Sequence, residues 1–408
     1  MTVVSTRLKN VASVTLGKML QSQQKQPTDI LLPYARAASI GQSGVLLEDS
    51  ISEMWFSPDE VDALTLQKDD LLVVEGGDVG RSIILPRDYK GWGFQNSVNR
   101  VRVMPDIISA KYLYYDLSRL KDSGYLLSEC NAVSFAHLTA EKLSNLHISF
   151  PPIDQQNRIV RYLDEHTAKI DQLVEKQHQL IALAESRLRI KAERLAWGLG
   201  RSDRGTKSPI VEPPSGWVSI KNKALLKHVD VRSVTGEEEL LSVSHITGVT
   251  PRTMKNVNMF EAESNVGYKL VEPGQLAINT MWAWMGALGV SEYSGIVSPS
   301  YDVYQFRDND QVEGKYFDLA YRTQTYVDLM RANSRGIWSS RLRLYPEVFL
   351  SLPMVVPPLL EQKRIAAHYE EARADAEKLV ITTQRAIDLA LERRSVLVTA
   401  AVTGQIQV

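Results

Sequence analysis

One cysteine, Cys130, is all that 408 residues contain, so no internal disulfide is possible and a thiolate zinc cluster is excluded. No apolar run approaches the ~20 residues that a membrane span needs, and the opening MTVVSTRLKNVASV lacks the apolar centre of a signal peptide. A reducing, cytoplasmic location is the expectation. Charge of one sign is also missing. The 47 Lys and Arg against 48 Asp and Glu leave a net charge of −1, and no stretch forms a polybasic tail. Any affinity for a polyanion must therefore come from local patches, or be shared with a more basic partner. Catalytic signatures are absent as well. Gly17-Lys18 is followed by Met19 rather than by the hydroxyl residue of a phosphate loop, and there is no HExxH, CxxC or GxSxG. The seven histidines show no ligand-like spacing, so no metal site is expected. The glycine cluster Gly76-Gly77-Asp78-Val79-Gly80 lacks the βαβ context of a nucleotide turn.

What is present is an internal repeat. Residues 151–198 align without a gap to residues 357–404, and 14 of the 48 positions are identical, among them Gln156/Gln362, Arg158/Arg364 and Gly198/Gly404. Each copy holds 45 residues free of glycine and proline between an opening Pro-Pro and a closing Gly. Proline suits the first helical turn and glycine the position just past the last. A helix of that length would run about 65–70 Å and needs a partner along it. Ile159, Leu163, Ile170, Leu173 and Leu180 recur at three- and four-residue spacing, as do Ile365, Tyr369 and Leu379, with Ile387 further on. The spacing predicts two helices packed as an antiparallel coiled coil, with these residues at the helix–helix or a subunit interface.

The segments before the helices match loosely. Ala35–Ile40 corresponds to Leu241–Ile246, Asp69–Val74 to Pro273–Ile278, and Lys111-Tyr112 to Lys315-Tyr316. Short β-rich runs with one or two helices predict an α+β fold with a pseudo-twofold repeat. The expected domains are 1–150, a helical region 151–200, a linker 201–216, a second domain 217–356 and a second helical region 357–408.

Polar and basic loops interleaved with aromatics are the candidate binding elements. Between Arg81 and Arg102, five basic residues face one acid, and from Arg331 to Tyr345 there are four arginines and no acid. Arginine can grip guanine bidentately, and Asn or Gln can pair with adenine. The candidate DNA contacts are Arg36, Ser39, Arg81, Gln95, Asn96, Asn99 and Arg100 in the first half. In the second they are His245, Trp282, Arg335, Trp338, Arg341 and Arg343. Trp282 and Trp284 read equally well as core aromatics or as a loop reaching toward bases. Two rival readings are a nuclease built on Asp302 with Glu313-Gly314-Lys315 and a coiled-coil adaptor that binds only proteins.

Pro151-Pro152-Ile153-Asp154-Gln155-Gln156-Asn157-Arg158-Ile159, repeated as Pro357-Pro358-Leu359-Leu360-Glu361-Gln362-Lys363-Arg364-Ile365, resembles the helix opening of specificity (S) subunits of type I restriction-modification systems. The passage from Asp70 to Gly80, and Trp217 after Pro213-Pro214-Ser215-Gly216, resemble the same family. The resemblance covers essentially the whole chain. It implies two target recognition domains, each reading one half of an interrupted site in double-stranded DNA, with the helices as ruler and as docking surface for two methyltransferase subunits. Restriction subunits would join them. S-adenosylmethionine, ATP and Mg²⁺ would belong to those partners, this chain binding no cofactor and catalysing nothing itself. The basic run from Arg187 to Arg204 departs from the repeat, since the second helix does not copy it.

Overall fold

A computed structural model describes residues 3–41, 44–130, 136–199, 210–254, 264–336 and 342–408. The chain divides into two compact units, Met1–His178 with Gln384–Val408, and Gln179–Thr383. Each unit contains the start of one long helix and the end of the other.

Each unit is built on its own four-stranded sheet of the same strand plan. In the first, the antiparallel order is Ala12–Leu16, Val98–Val103, Leu71–Val74, Ser82–Ile84. In the second it is Leu226–Val229, Tyr301–Phe306, Leu276–Asn279, Leu288–Val290. A two-stranded pair accompanies each sheet, Val4–Arg7 with His147–Phe150 and Val218–Lys221 with Pro353–Val356. Leu71-Leu72-Val73-Val74 is apolar throughout because both faces of this strand are covered. Leu71 and Val73 face a core that includes Tyr112, Leu113 and Leu117 of the helix Ala110–Asp122. Leu72 and Val74 face a second core with Phe56 and Phe94. The period of two along a strand makes this division automatic. In the second unit Leu276 and Ile278 face the main core, and Ala277 faces the smaller one.

The repeated helix motif has a structural meaning at each end. The long helices span Ile153–Ala196 and Leu359–Val402. Beyond each lies a glycine with positive φ, 59° at Gly198 and 74° at Gly404. Leu199 and Gln405 then donate their backbone N–H groups to the carbonyls of Arg194 and Ala400, at 2.9 and 2.8 Å. That closure needs a left-handed residue, which glycine adopts without a Cβ penalty. At the other end Gln156 is fully buried, accepts from the Ser109 N–H at 2.8 Å, and donates to the Pro151 and Ile107 carbonyls at 2.8 and 3.0 Å. Gln362 repeats the arrangement with the Glu313 N–H and the Pro357 and Gln311 carbonyls, at 2.9, 2.8 and 3.2 Å. The glutamine of the Pro-Pro-x-x-x-Gln motif therefore brackets the helix start onto the unit that precedes it.

Helix ends are held across the sequence. Ile159, Val160 and Leu163 share the first unit's core with Val398, Ala401 and Val402, and Arg394 pairs with Asp171 at 2.8 Å. Early residues of one helix meet late residues of the other, so the two segments run antiparallel within that unit. The Tyr112 hydroxyl donates to the Val402 carbonyl, and Tyr316 in the second unit donates to the equivalent Ala196 carbonyl, at 3.3 and 3.2 Å. Trp197, fully buried, stacks parallel to Tyr326 and donates its indole N–H to Thr323 Oγ1 at 3.1 Å. Trp197→Ala should cost about 3–5 kcal/mol through the cavity and the lost bond; an unchanged melting profile of the second unit would contradict this anchoring role.

The buried line along the helices differs from the apolar count by one residue in their middles. Leu173, Leu180 and Leu379 are 48, 38 and 40% exposed, while Val174, Ile181 and Val380 are half-buried. In the first helix the cause is two successive four-residue steps, Ile159 to Leu163 to Thr167. Such an insertion rotates the seam relative to a strict heptad. Thr167 is polar and so invisible to an apolar count, yet it is buried, its hydroxyl donating to the Leu163 carbonyl at 2.7 Å and lying 3.3 Å from the Tyr115 hydroxyl. Ile387 is buried and Tyr369 half-buried. Among the described residues, no helix is long and apolar enough to cross a membrane.

Candidate nucleic-acid interface

In each unit a central strand and the edge strand beside it are joined by a hairpin loop, residues 75–81 in the first and 280–287 in the second. A second loop follows the helices and is tied to the first. The Leu138 N–H donates to the Glu75 carbonyl at 2.8 Å, and that of Leu344 to the Thr280 carbonyl at 3.1 Å. The glycine cluster Gly76–Gly80 belongs to this hairpin and not to a nucleotide turn.

In the second unit the paired loops carry exposed aromatic and cationic groups. Trp282 is 47% exposed and stacks on Trp284, with ring centroids 6.0 Å apart and planes 20° from parallel. The Arg331 guanidinium lies 5.7 Å from the Trp284 ring, and its Nε–H donates to the Trp284 carbonyl at 3.4 Å. Exposed Arg335 and Arg343 exchange backbone hydrogen bonds of 3.0 and 2.9 Å, which closes the base of the second loop. Trp338 and Arg341, expected among the contacts, lie outside the described residues. His245 is exposed, and its carbonyl accepts from Arg322 at 3.4 Å. The tryptophans thus stand in a surface loop, which the sequence had left open between loop and core. Trp284 and Arg331 join the cluster through this fold, although they are 47 residues apart.

The first unit is different, because most of its basic residues already have partners. Arg87 pairs with Glu48 at 2.8 Å, and Arg102 grips the buried Asp70 with two bonds of 2.7 Å. Those acids lie 39 and 32 residues away, so a stretch that is acid-poor in sequence is not a free cationic patch in space. Ser39, Asn99 and Arg100 must be withdrawn as surface contacts. Ser39 is fully buried and accepts from the Arg36 N–H at 3.2 Å. Asn99, also fully buried, donates to the Leu138 carbonyl at 2.9 Å. Arg100 is 6% exposed and donates to the Thr65 carbonyl and to Thr15 Oγ1 at 3.0 and 3.2 Å. Burial, with Arg102 beside it, pulls its guanidinium below the ordinary arginine range, partly offset by Asp70. These side chains hold strands and loops together, and a duplex cannot reach them while the sheet is closed. Arg36, Arg81, Gln95 and Asn96 remain half-accessible. Arg81 donates to the Ala37 carbonyl at 3.0 Å and lies 3.5 Å from Asp78. The Nε atoms of Arg36 and Arg81 are buried without a hydrogen-bond partner.

The nuclease constellation is not assembled. Asp302 receives His228 and Lys269 at 3.2 and 3.1 Å, whereas Lys315 lies against Glu292 and Glu370 at 3.6 and 3.9 Å. Among the described residues, no group of three or more His, Cys, Asp or Glu is placed to hold a metal ion.

Residues 2–182 match the family model of the type I restriction modification DNA specificity domain. Among curated proteins, the chain is similar to the type I restriction enzyme MjaVIII specificity subunit of Methanocaldococcus jannaschii, 24% identical over 187 residues. That match covers 46% of this chain and 41% of the relative, less than half of the relative's length. Among solved structures, the chain is similar to one from a study of complex assembly and conformational transition of the type I R-M system. The TM-score is 0.63 with 15% identity, covering 98% of this chain and 97% of that one. At that identity the likeness establishes the fold.

Proposed function

We propose that the chain is the non-catalytic recognition subunit of a type I restriction-modification system, a reading supported by the match of residues 2–182 to the DNA specificity domain of such systems and by its likeness to a specificity subunit. Each unit reads one half of an interrupted site in duplex DNA, and the chain directs methyltransferase and restriction subunits to that site. The observation that carries this reading is the loop pair repeated in both units, which in the second presents Trp282, Trp284, Arg331, Arg335 and Arg343 together. Arginines fix register on phosphates or grip guanine, and the indoles supply apolar contact to base edges. Arg36, Arg81, Gln95 and Asn96 are the first unit's contacts, with His245 an outlying contact of the second; Trp338 and Arg341, which lie outside the described residues, complete the set. The near-zero net charge suits a subunit whose partners enclose the rest of the duplex. Leu173, Leu180 and Leu379, exposed on the long helices, support docking of two methyltransferase subunits along them. S-adenosylmethionine, ATP and Mg²⁺ then reside on the partner subunits.

Mapping methylated bases in the source genome tests the reading. A two-part motif should vanish when this gene is deleted, and an unchanged methylation map would overturn the proposal. A second result should follow from the helices acting as a ruler. Removing seven residues from the middle of each shortens it by about 10 Å. The spacer should then contract by about three base pairs with both half-sites unchanged. An unaltered spacer would remove the ruler from the mechanism.

A further inference from the structure

An apolar ring held in solvent is costly, and Trp282 keeps nearly half of one there. Met281 and Trp282, in the hairpin loop of the second unit, are 41 and 47% exposed. The backbone under them is fixed by hydrogen bonds. The Trp282 N–H donates to the Asn279 carbonyl at 3.0 Å, and the Trp282 carbonyl accepts from Met285 and Ala287 at 3.0 and 3.1 Å. Ala283, next in the chain, is fully buried in the main core. The short 3₁₀ turn Ala283–Met285 then ends on Gly286, at φ 87°, where a Cβ would lie 2.9 Å from Val327 Cγ2.

The two indoles have different parts in this loop. The Trp284 N–H donates to the Met281 carbonyl at 2.9 Å, and the Arg331 guanidinium lies 5.7 Å from its ring. Trp282 has Trp284 as its one ring contact among the described residues. Arg331 therefore braces Trp284, and Trp284 braces Trp282. The first unit has no counterpart. Its equivalent hairpin reads Glu75-Gly76-Gly77-Asp78-Val79-Gly80-Arg81, without an aromatic residue, and Val79 is buried.

A braced ring suits one use on a duplex more than another. Touching a thymine methyl at a groove edge needs no brace, because nothing pushes back. Insertion between base pairs does need one, since the step is opened against its own stacking. That cost is recovered when the ring is already ordered and then stacks on bases. Arg335 and Arg343 on the tied loop supply cations for nearby phosphates.

We propose, resting on the DNA-reading function above, that Trp282 is a wedge that inserts between two adjacent base pairs of the half-site read by the second unit and unstacks that step. The first unit reads its half-site without a wedge, so this deformation falls on one side of the spacer alone. Pyrimidine–purine steps, which unstack most readily, are favoured at that point. Selectivity there comes from how easily the step opens, with no hydrogen bond to a base.

The test uses the assembled complex and its duplex carrying a nick, phosphate retained, moved one step at a time through both half-sites. A nick relaxes the step it interrupts whatever the sequence. The wild-type complex should bind one nicked duplex about tenfold more tightly than the intact one. Trp282→Ala should lose that preference, and Trp282→Phe, which keeps a planar ring on the same brace, should retain part of it. Energy transfer between dyes at the duplex ends should report a smaller bend with Trp282→Ala on the intact site. Absence of a favoured nick, or a preference that survives in Trp282→Ala, would overturn the wedge. So would an equal loss on intact and nicked duplexes, which would leave the ring an edge contact only. Failure of Trp282→Ala to assemble with its partners without DNA, at an unchanged melting profile, would place the ring in a protein interface instead. A wild-type complex that does not distinguish its own site from other duplexes would overturn the DNA-reading function itself, and the wedge with it.

Discussion

Gln156→Leu should destabilise the first unit by about 2–4 kcal/mol, because it leaves buried backbone groups without partners. In the native chain one amide side chain satisfies the Ser109 N–H, the Ile107 carbonyl and the Pro151 carbonyl at once. Leucine is close in size but offers neither donor nor acceptor, so the loss is polar rather than steric. Gln156→Glu keeps the acceptor while losing the donor, and it should fall short of wild type for that reason. Hydrogen exchange reads the effect locally. The Ser109 amide should exchange faster in Gln156→Leu while the Glu313 amide keeps its protection, and Gln362→Leu should reverse the pattern. Equal protection of both amides in both variants would show that the glutamines do not bracket the helix starts.

Arg335→Ala with Arg343→Ala should weaken specific DNA binding by the assembled complex by about 2–6 kcal/mol, from two arginine contacts of about 1–3 kcal/mol each. The substitution is clean because the two residues hold each other through backbone groups, which alanine retains. Adding Trp282→Ala should deepen the loss without unfolding the unit, since nearly half of that ring's surface is exposed. If the arginines read bases, discrimination at one half-site relaxes and lysine fails to restore it. If they hold phosphates, affinity falls alike on all sequences, the salt slope drops by about 1.8, and lysine restores much of the binding. No change on any duplex would remove this loop from the interface.

The two experiments separate what was legible from the chain and what was not. The Pro-Pro-x-x-x-Gln opening and the closing glycine could be read directly. Helix starts and stops depend on local backbone chemistry, an amide bracket at one end and a left-handed residue at the other, so the signal lies within a few residues of its effect. The repeat carried the same signal twice, which is why the α+β plan with two long helices followed from the residues alone. The strand Leu71–Val74 was equally plain, because a short run buried on both faces is apolar without alternation.

Which arginines face solvent was decided only by the tertiary structure. Between Arg81 and Arg102 the sequence shows cations nearly without acids, yet Glu48 and Asp70 arrive from neighbouring strands and loops and neutralise two of them. Pairing between distant residues leaves no local trace. Thr167 shows the same limit on the long helix, where a buried threonine shifts the seam by one residue past an apolar count. The single cysteine excluded an internal disulfide and the balanced, evenly spread charge a polybasic tail, since those depend on totals and runs. The exposure of the indole pair at Trp282 depends on which surfaces the fold leaves uncovered. That is a balance of buried area and charge over a whole unit, and it exists only once the chain is folded.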